Sequence, residues 1–143
     1  KVIGILVSHM PFVPSVLFSP NIKRVLDSKK VTDHHAIIPT MEIGKTDLFA
    51  VPEPERKLLF LVGARVLSAT AESYCYESTT AELFCEEYLF TVSGKMVLQH
   101  GWKLFEDAFL KFYEIARNKK ESVSEESSLS ELKEGMVLIV SNT

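Results

Sequence analysis

The chain has 143 residues, of which 46% are hydrophobic and 24% are charged, and its formal net charge at pH 7 is −3. This composition is ordinary for a folded protein and excludes a chain that is disordered throughout. The apolar runs are too short to cross a bilayer and no basic-then-apolar leader is visible, so we expect a cytoplasmic protein with no membrane partner.

The charges are unevenly distributed along the chain. Residues 1–50 contain six Lys or Arg and four Asp or Glu, a balance of +2, whereas the remainder contains ten and fifteen, a balance of −5. Lys23, Arg24, Lys29 and Lys30 lie within eight residues, and two adjacent histidines follow after three further residues. Such a local basic patch suits contact with phosphate, although a solvated helix end would give the same pattern. The acidic total therefore does not exclude nucleic acid as a partner.

The first half of the chain is expected to be partly helical and partly irregular. Residues 2–10 are apolar enough for a short buried helix or strand, which Pro11 ends. Asn21 is a candidate N-cap for a short helix that extends through Leu26. Residues 31–48 are expected to be extended or looped, and binding residues often lie in such segments.

The clearest helix is predicted over residues 53–72. Two prolines fit its first turn, and two glutamates suit its positive N-terminal end. An apolar stripe with one arginine follows at helical spacing: Leu58, Leu61, Val62, Arg65 and Val66. Arg65 could reach a phosphate, or it could pair with Glu55 or Glu72, and the sequence leaves both interpretations open.

The second half changes to strand character. Residues 74–85 and 88–98 are rich in aromatic, Thr and Val residues with rough alternation, which predicts an antiparallel hairpin. Residues 102–117 have helical spacing, with their aromatic side chains expected in the core. The Ser-, Glu- and Lys-rich residues 118–131 are expected to be mobile, and residues 136–140 to form a final strand. The sequence thus predicts an α+β fold.

The segment from Lys29 to Thr40 carries the functional inference. Its sequence, Lys-Lys-Val-Thr-Asp-His-His-Ala-Ile-Ile-Pro-Thr, closely resembles a signature of the topoisomerase III branch of the bacterial type IA DNA topoisomerases. Further features that resemble the family follow in the same order: the helix over residues 55–69, Thr79-Thr80, Phe90, Gly94-Lys95, Gly101-Trp102 and the strand pattern at 131–140. Residues 106–130 match no feature of the family.

The resemblance implies an architecture of two parts. Residues 1–72 would be the C-terminal half of the helical gate domain, which bears the DHHAIIPT motif, and residues 73–143 would be part of the antiparallel β arch. The family's nucleophilic tyrosine segment and its acidic Mg²⁺ site have no counterpart in this sequence. We therefore expect an internal fragment that follows the tyrosine segment, binds no metal itself and is inactive in isolation.

The activity implied for the parent protein is that of an isomerase. It would break, pass and rejoin single DNA strands through a 5′-phosphotyrosine intermediate, with Mg²⁺ as its cofactor and the bacterial nucleoid as its location. The partners implied for this chain are single-stranded DNA and the remaining domains of the parent. Because only one of the two arch segments is present, we also expect an unpaired strand edge, exposed apolar surface and weak self-association.

The resemblance also assigns roles to individual residues. His34 matches the family histidine that is credited with contacting the phosphate and assisting cleavage, and His35 is a second, supporting histidine. A protonated imidazole donates from both nitrogens and so suits an anionic phosphate. The candidate contacts to the DNA backbone are Lys29, Lys30, Thr40 and Arg65. Lys29, Lys30 and Thr40 could equally be solvated surface residues, and Arg65 could snorkel or take the ion pair considered above.

Three other interpretations stay open at this point. A metal site at Asp33, His34 and His35 is disfavoured, because adjacent residues in an extended segment point to opposite faces. A phosphoesterase with paired histidines would need an acidic metal-ligand cluster, which the sequence does not provide. A non-catalytic DNA-binding or protein-interaction module on the same scaffold is the main alternative. A Tyr-x-Arg-Thr segment and an Asp-x-Asp cluster upstream of this chain would favour the enzyme over that module.

Overall fold

The structure is a computed structural model that describes residues 1–14, 18–29, 31, 34–115, 129 and 132–139. Within these residues the elements follow in the order α1, α2, β1, β2 and α3, and two short 3-10 helices lie between α1 and α2. Their bounds are α1 Val2–His9, the 3-10 helices Ile22–Arg24 and Met41–Lys45, α2 Glu53–Thr70, β1 Cys75–Cys85, β2 Tyr88–Gln99 and α3 Lys103–Phe112. The predicted α+β class is confirmed.

The described residues form two compact units. The first contains the described parts of Lys1–Tyr74 and Gln99–Arg117, and the second contains Cys75–Leu98 with the described residues of Asn118–Thr143. Helix α3 therefore belongs to the same unit as α1 and α2, although it follows the hairpin in the chain. The assignment of residues 1–72 to a gate and 73–143 to an arch in a larger enzyme stays a prediction.

Helix α2 begins where the sequence predicts and ends two residues earlier. Pro52 is its N-cap residue, Pro54 lies in its first turn, and two acidic side chains occupy the same turn near the positive helix end. The face that α2 buries consists of Phe60, Gly63, Ala64, Leu67 and Thr70. The stripe singled out in the sequence lies to one side of this face, and its first residue, Leu58, is 62% exposed.

The hydrophobic core of the first unit is built from all three helices and the chain between them. Phe12 lies near its centre, with ring centroids 5.7 Å from Phe60 and 5.6 Å from Phe109. Burying each such side chain contributes about 1.5–3 kcal/mol. Phe105 and Phe109 are in this core, as the helical spacing predicted. The buried residues are Leu6, Met10, Phe12, Ile43, Leu48, Phe60, Ala64, Leu67, Ala71, Phe105 and Phe109.

The first half of the chain contains a helix and a short turn at two places where the sequence predicted or allowed short helical segments. Residues 2–9 are helical, so the helix is the correct alternative of the two that the sequence left open, and Met10 has extended backbone (φ −82°, ψ 118°), as a residue before proline prefers. The short helix near residue 22 is a single 3-10 turn. Asn21 makes no side-chain capping bond there; instead its backbone N–H donates to the carbonyl of Thr70 at 2.8 Å. The predicted side-chain cap is wrong.

The second unit contains the predicted hairpin. Strands β1 and β2 form a two-stranded sheet, with Glu86 and Glu87 in the turn. A two-residue turn places Thr80 opposite Ser93, and the hydroxyl oxygens of these two residues lie 3.3 Å apart, as that register requires. Large side chains near the tip are exposed, including Phe84, Tyr88 and Phe90.

Two predicted elements differ from the structure. The strand expected at 136–140 is not formed over 136–139, where Val137 is 87% and Ile139 is 92% exposed. A strand needs a neighbour to pair with, and the sheet in the described residues contains only β1 and β2. Helix α3 ends at Phe112, five residues earlier than predicted, because Glu114 adopts a left-handed backbone (φ 51°). The predicted mobility of residues 118–131 falls almost entirely outside the described residues.

None of the helices in the described ranges combines the length and the apolar character that crossing a bilayer requires.

Candidate nucleic-acid interface

The motif segment belongs to the first unit and is irregular chain, and its downstream end is fixed by packing against the core. Residues 34–40 have no regular secondary structure, and Lys30, Thr32 and Asp33 lie outside the described residues. Pro39 is buried, and Ile43 and Leu48 beyond it belong to the core. The core therefore fixes where the motif ends, while the histidines precede this fixed point.

The two histidines are open to solvent. His34 and His35 are both exposed, and neither imidazole makes a hydrogen bond or ion pair with another residue of the described ranges. Both rings are accessible to a ligand that approaches from solvent.

The downstream half of the motif lines a groove of about 780 Å³ in the first unit. Ala36, Ile37 and Ile38 lie on it, together with residues of α2, of the start of α1 and of the turn that begins at Ile22. Almost all of the lining is apolar, and the charged side chains on it are Lys1 and Arg65. An apolar surface does not neutralise phosphate, so any phosphate contact here falls to these cations.

Arg65 lies on the groove and also joins α2 to α3. Its Nη1 is 2.9 Å from Oε1 of Glu106, and the Arg65 side chain is 66% exposed. The ionic partner is thus Glu106, and neither Glu55 nor Glu72, the two partners considered from the sequence, takes that place. A guanidinium has five donors, so this ion pair leaves Arg65 able to bind a second acceptor.

The remaining candidates also lie on the surface. Lys29 is exposed, and its backbone N–H donates to the Asp27 carboxylate at 3.1 Å. Thr40 is the N-cap residue of the second 3-10 helix but makes no side-chain capping bond. Arg24, from the same basic cluster, has a structural role, because its guanidinium donates to the Ala71 carbonyl at the end of α2 at 2.9 Å.

The structure brings together only part of the predicted site. Arg65 and Ala36–Ile38 share the groove, whereas Lys29, His34, His35 and Thr40 are not among its lining residues. Sequence reasoning missed the groove itself. The sequence feature that could have indicated the groove is the apolar triplet Ile22, Val25 and Leu26. These residues have helical spacing, but the helical segment is too short to bury them.

Within the described ranges, no three His, Cys, Asp or Glu side chains are grouped in a way that could hold a metal ion. Asp33, a member of the disfavoured Asp33, His34 and His35 site, lies outside those ranges.

Comparison with known proteins agrees with the motif. A model of the DNA topoisomerase family matches residues 6–143, so the chain belongs to this family. Among curated proteins it is similar to DNA topoisomerase 3 of Bacillus cereus, with 37% identity over 105 residues that cover 71% of this chain and 14% of that protein. The corresponding values for DNA topoisomerase 3 of Bacillus licheniformis are 34% over 118 residues, 82% and 15%. The predicted membership of the topoisomerase III branch of type IA is confirmed.

The chain spans only 14% and 15% of the length of these two relatives. DNA topoisomerase 3 of Bacillus subtilis is similar over a shorter stretch, at 38% identity over 85 residues, which cover 59% of this chain and 11% of that protein. No solved structure matches the chain.

Proposed function

We propose that the chain is part of a topoisomerase that breaks, passes and rejoins single DNA strands, and that it supplies phosphate contacts rather than the nucleophile. The observation that carries the proposal is the exposed His34–His35 pair. The pair lies in a family motif whose downstream end is fixed by buried Pro39 and Ile43. A phosphate-binding histidine must be accessible and must lie at a defined place in the complex with DNA, and the exposure of the pair together with the buried anchor downstream of it supports the proposal.

In the proposed reaction a tyrosine from outside this chain attacks the phosphorus of a single strand. The tyrosine oxygen forms a bond to phosphorus, the bond from phosphorus to the 3′ oxygen breaks, and the tyrosine proton ends on that 3′ oxygen. His34 in its protonated form donates to a non-bridging phosphate oxygen and so offsets the negative charge of the transition state. His35, which is also exposed, supports contact with the same strand.

The other candidates are proposed to position the DNA backbone. Lys29, Lys30 and Arg65 supply positive charge to phosphates, and the Thr40 hydroxyl, which makes no capping bond, can donate to one. Arg65 can do so while it keeps its ion pair with Glu106. Contacts of this kind set register and affinity without reading sequence.

The proposal extends to the protein that contains this chain. Residues 1–72 would serve as the C-terminal half of the gate and residues 73–143 as part of the arch, in a protein located at the bacterial nucleoid. The Mg²⁺ that the family resemblance implies would be held by acidic residues outside this chain. The isolated chain is expected to lack relaxation activity and to self-associate weakly.

The test replaces His34 with Ala in the complete protein that contains this chain. We expect DNA cleavage to slow by about 10²–10³-fold, the usual cost of removing one donor to a developing charge. Noncovalent binding to single strands should stay within about threefold, because the lysines and Arg65 supply most of the ionic attraction. Single-turnover formation of the covalent complex and filter binding measure the two quantities.

His9→Ala is the matched control, since His9 is also exposed but lies on α1 outside the motif. Equal cleavage rates for the His34→Ala variant and the unmodified protein would remove the role assigned to His34. Binding of single strands without any covalent complex in the unmodified protein would favour the non-catalytic DNA-binding module instead.

A further inference from the structure

The chain leaves the first unit at Tyr74 and returns to it at Gln99, so two connections link this unit to the hairpin. Inside the first unit the residues next to these two connections contact one another. We use the name "clamp" for Ser68, Glu72, Ser73, Tyr74, Gly101, Trp102 and Lys103. All seven belong to the first unit, and their contacts can be described without reference to the hairpin.

Gly101 brings the returning chain against the outgoing chain. Its backbone is left-handed (φ +48°), and a Cβ at this position would lie 2.6 Å from the carbonyl oxygen of Glu72. The same Cβ would overlap the carbonyl carbon and oxygen of Ser73. These obstacles are backbone atoms, which cannot turn aside as the end of a side chain can. Glycine is therefore required here both by its φ angle and by the approach of two chain segments.

Trp102 adds hydrogen bonds and a ring contact to this approach. Its backbone N–H donates to the Glu72 carbonyl at 2.9 Å, and its own carbonyl accepts from the Ser68 hydroxyl at 3.3 Å. Its ring centroid lies 6.4 Å from that of Tyr74 in an edge arrangement. The Lys103 ammonium lies 4.2 Å from the centre of the Tyr74 ring, close enough for a cation–π contact. Backbone, side-chain and ring contacts thus all join the two connections.

A turn with the same backbone conformation does not need such contacts. Gly135 is also left-handed (φ +77°), yet a Cβ there would meet nothing within 4 Å. The crowding at Gly101 is therefore a property of this place in the fold and does not follow from a left-handed glycine. Ser68 and Trp102 also connect the clamp to α2 and to the start of α3, and these helices carry Arg65 and its partner Glu106.

We propose that Gly101 and Trp102 are positioning residues for strand passage. They hold the chain that leaves α2 against the chain that enters α3, so that both connections to the hairpin start from one fixed place in the first unit. The proposal rests on the function proposed above and assigns a task to residues that do not touch DNA. It requires that loosening the clamp impair strand passage more than strand cleavage.

The test compares Gly101→Ala with Gly135→Ala in the complete protein, because both substitutions place a Cβ on a left-handed backbone. In Gly101→Ala we expect the amide of Trp102 to exchange its hydrogen at least about tenfold faster, since its bond to Glu72 opens. We expect relaxation of supercoiled DNA to slow by about tenfold, while covalent-complex formation stays within about threefold. Gly135→Ala should leave hydrogen exchange at Trp102, the relaxation rate and covalent-complex formation within about twofold of the unmodified protein.

Unchanged exchange at Trp102 in Gly101→Ala, or equal losses in relaxation and cleavage, would overturn the proposal. Where Gly101→Ala does not fold, Ser68→Ala takes its place, because it removes one hydrogen bond to Trp102 and leaves the backbone unchanged. Ser68→Ala should make hydrogen exchange at Trp102 about threefold faster and DNA relaxation about threefold slower. Ser68→Thr, which keeps the hydroxyl, should restore both rates. Ser68→Ala with unchanged values would overturn the proposal equally.

The two proposals fail in different ways. If the unmodified protein forms no covalent complex with DNA, the proposed function is wrong, whereas hydrogen exchange at Trp102 still decides whether the clamp exists. If the covalent complex forms but the clamp variants relax DNA as fast as the unmodified protein does, the positioning role of Gly101 and Trp102 is wrong and the proposed function stands.

Discussion

Phe60 has no exposed surface, and its ring contacts those of Phe12, Phe112 and Tyr113. Replacing it with Ala removes these contacts and leaves a cavity that the surrounding helices cannot fully close. We expect Phe60→Ala to lower the free energy of unfolding by about 3–5 kcal/mol. Urea unfolding followed by the fluorescence of the single tryptophan, Trp102, measures this loss within the first unit.

Leu58→Ala provides the comparison on the same helix, because Leu58 is 62% exposed. Its expected cost is below about 1 kcal/mol. Similar losses for the two variants would contradict the burial pattern described for α2, since an exposed side chain has little transfer free energy to lose.

Single residues show where sequence reasoning was sufficient and where it was not. The histidine motif was visible because it is a contiguous string, so His34 and His35 could be named without a fold. The partner of Arg65 could not be named, because Glu106 is 41 positions away and only the packing of α3 on α2 brings it near. The sequence offered only local carboxylates, Glu55 and Glu72, and the tertiary contact took precedence over both.

The Arg65–Glu106 ion pair also makes a prediction about the elements it joins. Glu106→Gln removes the carboxylate but keeps the shape of the side chain, and because Arg65 is largely exposed the stability change should stay below about 1 kcal/mol. If Arg65 contacts a phosphate, removing the negative charge of Glu106 beside it should strengthen binding to single strands by about two- to fivefold at low salt. Fluorescence anisotropy with a labelled oligonucleotide measures this change.

Glu114→Gln makes the same change of charge at an exposed residue just beyond the end of α3 and serves as the control. Added salt should reduce the gain from Glu106→Gln, because the contact with phosphate is ionic. Equal affinities for the two variants would show that Arg65 makes no contact with DNA.

Elements with a strong periodic pattern were predictable, and those that depend on a neighbour were not. Helix α2 has helical spacing and prolines in its first turn, and the hairpin has strand-forming residues on both sides of a short polar turn, so the local sequence was enough to place them. Residues 136–139 have an equally apolar pattern, yet they are not in a strand, because strand structure requires a paired edge. The groove was missed for a related reason, since it forms only where the motif, α1 and α2 meet.

At the scale of the whole molecule, the two units differ in how they bury their apolar surface. The first unit has a core, whereas the hairpin consists of two strands with large side chains exposed near its tip. Two strands alone are marginally stable in water, and an outer edge without a neighbouring strand offers backbone donors and acceptors to another chain. In the part of the chain that the structure describes, no third strand pairs with β1 or β2, and we expect copies to associate through the hairpin.

We therefore expect the isolated chain to dimerise weakly at high concentration, with Phe84→Lys abolishing the dimer. Phe84 is 74% exposed, and the register set by Thr80 and Ser93 places it opposite Leu89, so one apolar pair stands near the tip of the hairpin. A lysine there adds charge to the surface that would be buried in the dimer, and charged side chains on exposed strands oppose pairing between chains.

Sedimentation velocity over a range of concentrations measures the equilibrium between monomer and dimer. Leu58→Lys, the same change on the exposed side of α2, should leave the dimer intact, and a chain that stays monomeric at every concentration would contradict the assignment.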